Sequence, residues 1–261
     1  GPVKVDSVKL GEDGTCDFQE NAMDSITPEF YRLRIANQTI NLSIDSTETV
    51  TVKAAYPQMS YKYEVEGSEN CNTIKELSLK QMLLQSNING IVKNPNIGVD
   101  SLDVIVARML NDYKQDIKRN YIFKAPMQAS SYYALFQTIQ LGNTNSLIFN
   151  PRNNKEDVKV FAAVATSWDT YYPGAERGKN LHNIAIEGMK DIRIIENQMA
   201  QQKIDASKVQ VNGCIELALQ DNQGQIRRLS DLKGKVVLLD FHAFASSEST
   251  KRIMMLRELY N

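Results

Sequence analysis

The feature that most constrains the fold of this chain is its last stretch, residues 229–260. It begins with turn-forming residues around Gly234, which is free to adopt a positive φ. Residues 236–241 then form an apolar run that only Asp240 interrupts, as in a strand covered on both faces of a parallel sheet. A serine-rich loop and apolar residues at helical spacing follow, up to Tyr260. The order of strand, loop and helix predicts the first half of a βαβ unit.

The segment Leu229-Ser-Asp-Leu-Lys-Gly-Lys-Val-Val-Leu-Leu-Asp-Phe241 resembles the start of the thioredoxin-like domain of membrane-anchored periplasmic thiol–disulfide oxidoreductases. In that family the strand leads into Cys-x-x-Cys at the N-terminus of a helix, whose dipole and free N–H groups stabilise a thiolate. Aligned on Phe241, the two cysteines fall on Ser246 and Ser249. Because a serine hydroxyl neither ionises near neutral pH nor forms a disulfide, the resemblance implies a degenerate, redox-inactive site at these two positions.

Two explanations of these serines stay open, namely deliberate replacement of natural cysteines and natural loss. The neighbouring positions favour natural loss. The aromatic residues of the family fall on His242 and Ala245, and its usual proline falls on Glu248. An inert variant made on purpose would not need those further changes.

The resemblance implies a protein on the periplasmic side of the bacterial cell envelope, held there by a lipid anchor. With a degenerate redox site, we interpret the chain as a binding or structural module without a cofactor, and not as an enzyme. The alternative is a thiol–disulfide oxidoreductase that uses cysteines outside the aligned motif, such as Cys214, or that a longer natural chain completes. A hydrolase-like use of His242 with Ser246 or Ser249 lacks a carboxylate to orient the histidine, so both serines are interpreted as helix-capping groups.

A complete thioredoxin-like domain continues from this helix into further strands and a last helix. Without them, the strand at residues 236–241 would have an unpaired edge and a bare apolar face. We therefore expect either a longer natural chain or a covering partner, which would be the helical part of the chain, an unknown protein or a second protomer.

Residues 1–72 are predicted to form an antiparallel β domain, because apolar residues alternate between turn signals. The first hairpin is predicted around the turn at residues 11–14, with Cys16 on the inward face of the returning strand. The segments VDSVKLGEDGT and PEFYRLRIANQTINLSID also resemble a β domain of unknown function that precedes thioredoxin-like domains in such lipoproteins. Val5, Val8 and Leu10 lead into the turn at residues 11–14, and Cys16 and Phe18 continue on the returning strand. The residues that keep a period of two are Phe30–Ile35, Ile40, Leu42, Ile44, Val50 and Val52, and Tyr61–Val65 is predicted as a last strand.

Residues 73–205 are predicted to form a helical domain, since apolar residues recur there at helical spacing. The predicted stripes cover residues 102–117 after a cap at Asp100 or Ser101, 132–139 after Ser130 or Ser131, 158–172 after Asn153 or Asn154, and 181–199. Pro173-Gly174 is predicted to end the third helix. We interpret the aromatic residues of these stripes as core and not as a binding groove. The segment NPRNNKEDVKVFAAVATSWDTYYPGAERGKNL resembles the helical middle region of the same lipoproteins.

Residues 206–261 are predicted to begin with a polar linker and a hairpin over residues 215–229, and to continue into the first half of a thioredoxin-like domain. The predicted fold is therefore an α+β multidomain protein, with an N-terminal antiparallel β domain, a helical middle domain and this C-terminal α/β part.

Composition excludes several functions. A net charge of −1 gives no reason to expect nucleic acid or an anionic membrane surface as partner. No apolar run approaches the roughly 18 residues of a membrane span. The lipid anchor is expected only from the resemblance. Cys16, Cys71 and Cys214 have no metal or redox spacing, although a Cys16–Cys71 bridge stays open. His182 and His242 are too isolated for a zinc site.

Overall fold

The computed structural model describes residues 3–18, 26–202, 216–238 and 252–257. The chain divides into two compact units, Gly1–Gln201 and Gln202–Asn261. Helices and small antiparallel two-stranded sheets occur among the described residues. The protein therefore has the α+β multidomain fold that the sequence predicts.

Two antiparallel hairpins follow each other in the first unit. β1 (Glu29–Ile35) pairs with β2 (Gln38–Ile44) through a tight turn in which Ala36 has a φ of 50°. β3 (Thr51–Ala54) pairs with β4 (Tyr63–Glu66). These four strands confirm the strands predicted from the alternating apolar residues after residue 29.

The first predicted hairpin is wrong except for its turn. The N–H of Gly14 donates to the carbonyl of Gly11 over 3.0 Å, but residues 3–10 and 15–18 are not strands. Cys16 is partly exposed and Phe18 is 49% exposed, so neither side chain faces a sheet interior. A two-stranded ribbon needs a further apolar layer to be stable, and the described residues provide none for this segment.

The first unit also contains five helices and a third hairpin among its described residues. A π-helical turn (Lys118–Ile122) extends α2 by five residues. The elements are α1 (Glu69–Val92), α2 (Val99–Ile117), α3 (Ala129–Leu135), β5 (Thr138–Leu141), β6 (Thr144–Leu147), α4 (Lys155–Tyr171) and α5 (Glu176–Gln202).

Helix α1 takes part in both apolar cores of the first unit. Near its start, Cys71 packs with Ile40 and Leu42 of β2. Later in the same helix, Leu77 and Ile88 belong to the larger core, which α2 to α5 complete. The predicted division between residues 72 and 73 lies within α1, and separate folding of residues 1–72 stays a prediction.

The predicted limits of α4 are confirmed. The Asn154 side chain accepts hydrogen bonds from the backbone N–H groups of Glu156 and Asp157, at 3.0 and 3.2 Å, and so caps the helix. After the helix, Gly174 has a φ of 83°, which ends the helical path and turns the chain into α5. The stripe predicted over residues 181–199 is confirmed as part of α5.

Two predicted caps are wrong. α2 begins after Gly98, whose carbonyl accepts from the N–H of Leu102 over 2.9 Å, and not after Asp100 or Ser101. α3 begins after Gln128, and Ser130 and Ser131 lie inside it. The hydroxyl of Ser131 instead donates to the carbonyl of Ala125 over 2.8 Å, which ties α3 to the preceding loop.

The helix predicted over residues 132–139 ends early. α3 stops at Leu135, and Ile139 lies in β5 with only 2% of its surface exposed. Gly142, with a φ of 58°, makes the tight turn from β5 to β6. The residues of this segment fit a helical spacing as well as a strand, and burial against the core selects the strand for Ile139.

A buried ion pair ties α2 to α4. The ammonium group of Lys114 lies 2.6 Å from Oδ2 of Asp157, which is 2% exposed. The same oxygen accepts from the N–H of Asn150 over 2.8 Å. Because both a cation and a backbone donor serve this carboxylate, its burial is compensated.

In the second unit, the predicted hairpin is confirmed and the predicted buried strand is not. β7 (Ala218–Gln220) pairs with β8 (Ile226–Arg228), as predicted, and a 3₁₀ turn (Leu229–Leu232) follows. The buried strand predicted to begin at Val236 is wrong for residues 236–238, which are exposed and not in a strand. No described element of this unit pairs with or covers them. Residues 239–241 lie outside the described residues, and residues 252–257 are helical.

Candidate functional site

The two predicted redox positions, Ser246 and Ser249, lie outside the described residues. His242 and Cys214 lie outside them as well. The structure therefore does not place these four side chains. Among the described residues, the question of thiol chemistry rests on Cys16 and Cys71.

Cys71 lies where a reactive cysteine would benefit from a helix. It is the third residue of α1, and its N–H donates to the hydroxyl of the capping residue Ser68 over 3.2 Å. The positive end of a helix dipole lowers the pKa of a nearby thiol and stabilises the thiolate.

Burial nevertheless prevents that chemistry. Cys71 is fully buried, and its thiol donates to the carbonyl of Ser43 over 3.1 Å. The sulfur also accepts from the N–H of Ser43 at 3.4 Å. Burial in this apolar core raises the pKa of the Cys71 thiol in spite of the two hydrogen bonds to it from Ser43 and Ser68. The side chain is therefore a neutral thiol that joins β2 to α1.

Cys16 has a free thiol but does not belong to a candidate redox site. It is partly exposed and lies outside any strand or helix. Both Cys16 and Cys71 are free, so the disulfide between them is not formed. Neither residue has a second thiol beside it in the described part of the chain, so these residues do not form a redox pair.

The aromatic residues of the helices form a core, as predicted. Tyr132 contacts Trp168 at 4.9 Å and Phe136 at 4.9 Å between ring centroids, and Phe136 contacts Phe161 edge to face. Trp168 and Phe161 are fully buried. Such ring pairs stabilise a core beyond their buried area, and they leave no groove for a ligand between them.

Arg177 closes this aromatic core at its edge. Its guanidinium lies 4.9 Å from the ring centroid of Phe30 and 5.8 Å from that of Tyr132. Its Nη2 donates to Oε2 of Glu29 over 2.6 Å. Arginine on aromatic faces with a carboxylate partner is a stable arrangement. Arg177 therefore fastens the start of α5 to β1 and α3, and sequence reasoning missed it because its partners are more than 40 residues away.

An open groove lies at the end of α2 and has the most ligand-like chemistry among the described residues. It measures about 450 Å³ and is lined by Gln115, Lys118, Arg119, Phe123 and Lys124. Three cationic side chains and the ring of Phe123, which is 54% exposed, line the same groove. Sequence reasoning missed this groove, although the run KRNYIFK shows the charges, because these residues do not share a face at ordinary helical spacing.

The described parts of the chain contain neither a candidate metal cluster nor a candidate membrane-spanning helix. No group of three His, Cys, Asp or Glu residues there is placed to hold a metal ion. None of the described helices is long and apolar enough to cross a bilayer.

Comparison of the chain with protein-family models, with curated proteins and with solved structures found no match. The thioredoxin-like relationship therefore stays a prediction from the residues of the C-terminal stretch.

Proposed function

We propose that this chain is a thioredoxin-like protein of the bacterial cell envelope that has lost its redox site and acts as a binding or structural module. The degenerate positions are Ser246 and Ser249, which replace the two cysteines of the family it resembles. A protein with this role needs no cofactor.

The environment of Cys71 is the observation that carries the proposal. Cys71 lies at a helix N-terminus, yet its thiol is buried and donates a hydrogen bond to the carbonyl of Ser43. Burial also raises the pKa of this thiol. A thiol that exchanges with a disulfide must be accessible and at least partly ionised. Cys71 meets neither condition, which supports a function that does not use thiols.

Location and partner belong to the same proposal. We infer, from the resemblance, a location on the periplasmic side of the envelope and attachment through a lipid anchor. Val236 and Leu238 are apolar and exposed, and exposed apolar side chains next to one another favour association. This supports an unknown protein partner or self-association through the C-terminal unit.

One alternative keeps some support. Cys16 is partly exposed and free, so a reagent can reach it. A thiol–disulfide oxidoreductase would then need Cys16 and Cys214 as its pair, or a longer natural chain.

Thiol alkylation followed by mass spectrometry tests the proposal. The unfolded protein is labelled with and without prior reduction, and the native protein is assayed for reduction of insulin disulfides. We expect all three cysteines to label without reductant and no insulin reduction. The variant Cys71→Ala serves as a control, since the proposal gives Cys71 no part in exchange. If Cys16 and Cys214 label only after reduction, and their oxidation follows a glutathione buffer reversibly, the oxidoreductase alternative replaces the proposal.

A further inference from the structure

The π-helical turn after α2 determines which side chains share a face. The N–H of Phe123 donates to the carbonyl of Lys118 over 2.9 Å, a bond between residues five apart. In an α-helix, residues five apart point about 140° away from each other, given 3.6 residues per turn. The wider π turn brings such residues onto the same side.

Burial confirms this five-residue spacing. Ile117 and Ile122 are both fully buried in the larger core. The two residues after each of these isoleucines, Lys118 and Arg119 and then Phe123 and Lys124, line the groove. Lys118 therefore lies beside Phe123, and Arg119 lies beside Lys124, which is how one short segment lines a groove. π turns of this kind are frequent at functional sites.

The cations of the groove form no salt bridge among the described residues. Lys118, Arg119 and Lys124 form no ion pair with any residue in the described ranges. Asp116 is engaged elsewhere, with Lys80 at 2.9 Å and with Asn120 at 2.5 Å.

Glu156 is an acid that interacts electrostatically with Lys118 of the groove. Its pKa is lowered first by its hydrogen bond to Lys159 and further by nearby lysines that include Lys118. Because Glu156 is held by Lys159 at 2.7 Å, it leaves the positive charges of the groove available to a ligand.

The chemistry of the lining selects a class of ligand. A phosphate monoester carries a charge of about −1.5 to −2 at pH 7, which suits three cations better than a single carboxylate does. Arginine binds phosphate oxygens with two parallel N–H donors. The exposed ring of Phe123 offers an apolar surface to whatever the phosphate is attached to. The volume of about 450 Å³ lies within the range of small-molecule sites, about 300–1,000 Å³.

We propose that this groove, lined by Lys118, Arg119, Phe123 and Lys124, binds a small soluble phosphate monoester whose apolar part lies on Phe123. All residues that line the groove belong to the first unit, and none of them is a cysteine. The groove gives the first unit a ligand-binding role whether or not the thioredoxin-like relationship holds.

Calorimetric titration of the full chain with phenyl phosphate tests the proposal. We expect saturable binding that weakens about tenfold in Arg119→Gln and again in Lys124→Gln, because hydrogen bonds to charged groups contribute that much. Phe123→Ala should weaken the binding of phenyl phosphate and leave that of inorganic phosphate unchanged. The matched control is Lys93→Gln, an exposed lysine at the end of α1, which should bind phenyl phosphate as the original protein does.

These substitutions replace exposed side chains, and thermal unfolding shows that each variant folds. Three results would overturn the proposal. They are a lack of saturable binding, an equal loss in Lys93→Gln, and binding to phosphatidylglycerol vesicles by a protein that does not bind phenyl phosphate. The last result would assign the groove to a lipid surface.

Discussion

Two segments near the N-terminus have similar alternating sequences and different structures. Residues 5–18 and residues 29–44 each carry apolar side chains two residues apart on both sides of a tight turn, such as Val8 and Leu10 in the first and Ile40 and Leu42 in the second. Only the second segment forms strands, β1 and β2. The difference lies in what covers them, because α1 packs on β2 and buries Ile40. An apolar residue at every second position predicts that a strand would have one apolar face. Whether the strand forms depends on a second layer of structure that packs on that face.

The largest expected contrast comes from removing one apolar side chain in each segment. Ile40→Ala should lower the free energy of unfolding by about 2–5 kcal/mol, since it leaves a cavity in a packed core. Val8→Ala, at an exposed position, should change it by less than about 0.5 kcal/mol. Denaturant unfolding measures both. Similar losses in the two variants would show that residues 5–18 are also packed.

Gly67, just before the helix that covers the second segment, and Gly14, in the turn of the first segment, extend this comparison. Gly67 precedes α1 with a φ of 91°, and a Cβ built on it would lie 1.9 Å from the carbonyl oxygen of Thr49. Gly67→Ala should therefore cost about 3 kcal/mol, from backbone strain and the clash together.

Gly14 is the matched control, in the turn of the first segment. Its φ is 76°, but a Cβ there meets nothing within 4 Å. Gly14→Ala should cost about 1–2 kcal/mol, from the backbone conformation alone. Thermal unfolding of the two variants side by side would contradict this account if Gly14→Ala were the more damaging one.

Cys16 of the first segment and Cys71, on the helix that covers the second segment, should differ in reactivity. Cys16 is accessible, whereas Cys71 is fully buried on α1 against β2. A buried thiol reacts only when the structure opens, so native Cys71 should be alkylated about 1,000-fold more slowly than Cys16. Mass spectrometry of the time course measures both rates. Equal rates would mean that the start of α1 opens freely.

The smallest effect is a dependence of stability on alkaline pH. Burial raises the pKa of Cys71 above its ordinary value of 9.0. The folded protein therefore keeps a proton that the unfolded chain loses, so stability is complete below pH 9 and declines as pH rises toward the folded pKa.

The variant Cys71→Ala isolates this effect. It should remove the part of the decline that begins near pH 9 and leave the later part, to which the buried tyrosines Tyr63 and Tyr113 contribute through their own raised pKa values. Urea unfolding at pH 8 and pH 9.5 measures the difference. An unchanged slope in the variant would assign the whole decline to other groups.

The elements that the sequence predicts well are those whose own residues determine their limits. Asn154 and Pro173-Gly174 give the two ends of α4, and the alternation from residue 30 onward gives β1 and β2. The end of α3 could not be predicted, because the residues around Ile139 suit both a helix and a strand. At Ile139, burial in the tertiary core selects the strand.

The candidate site was harder to predict for the same reason. α1 has a good N-cap in Ser68, but polar residues such as Ser78 are buried along it, and its helical stripe is therefore weak. The position of Cys71 at a helix N-terminus was missed as a result. The groove at the end of α2 depends on a spacing of five residues, which a search for the 3.6-residue period does not detect.

The π turn also bears on how the length of this segment can vary. A π turn is equivalent to an α-helix into which one residue has been inserted. If Asn120 were deleted and the turn tightened to ordinary α geometry, Ile117 and Ile122 would be four residues apart and still on one face. Lys118 would likewise stay beside Phe123, and Arg119 beside Lys124. The groove therefore depends on the registration of the helix against its core and tolerates a shorter chain, so homologues with a gap at Asn120 would retain the same cationic face.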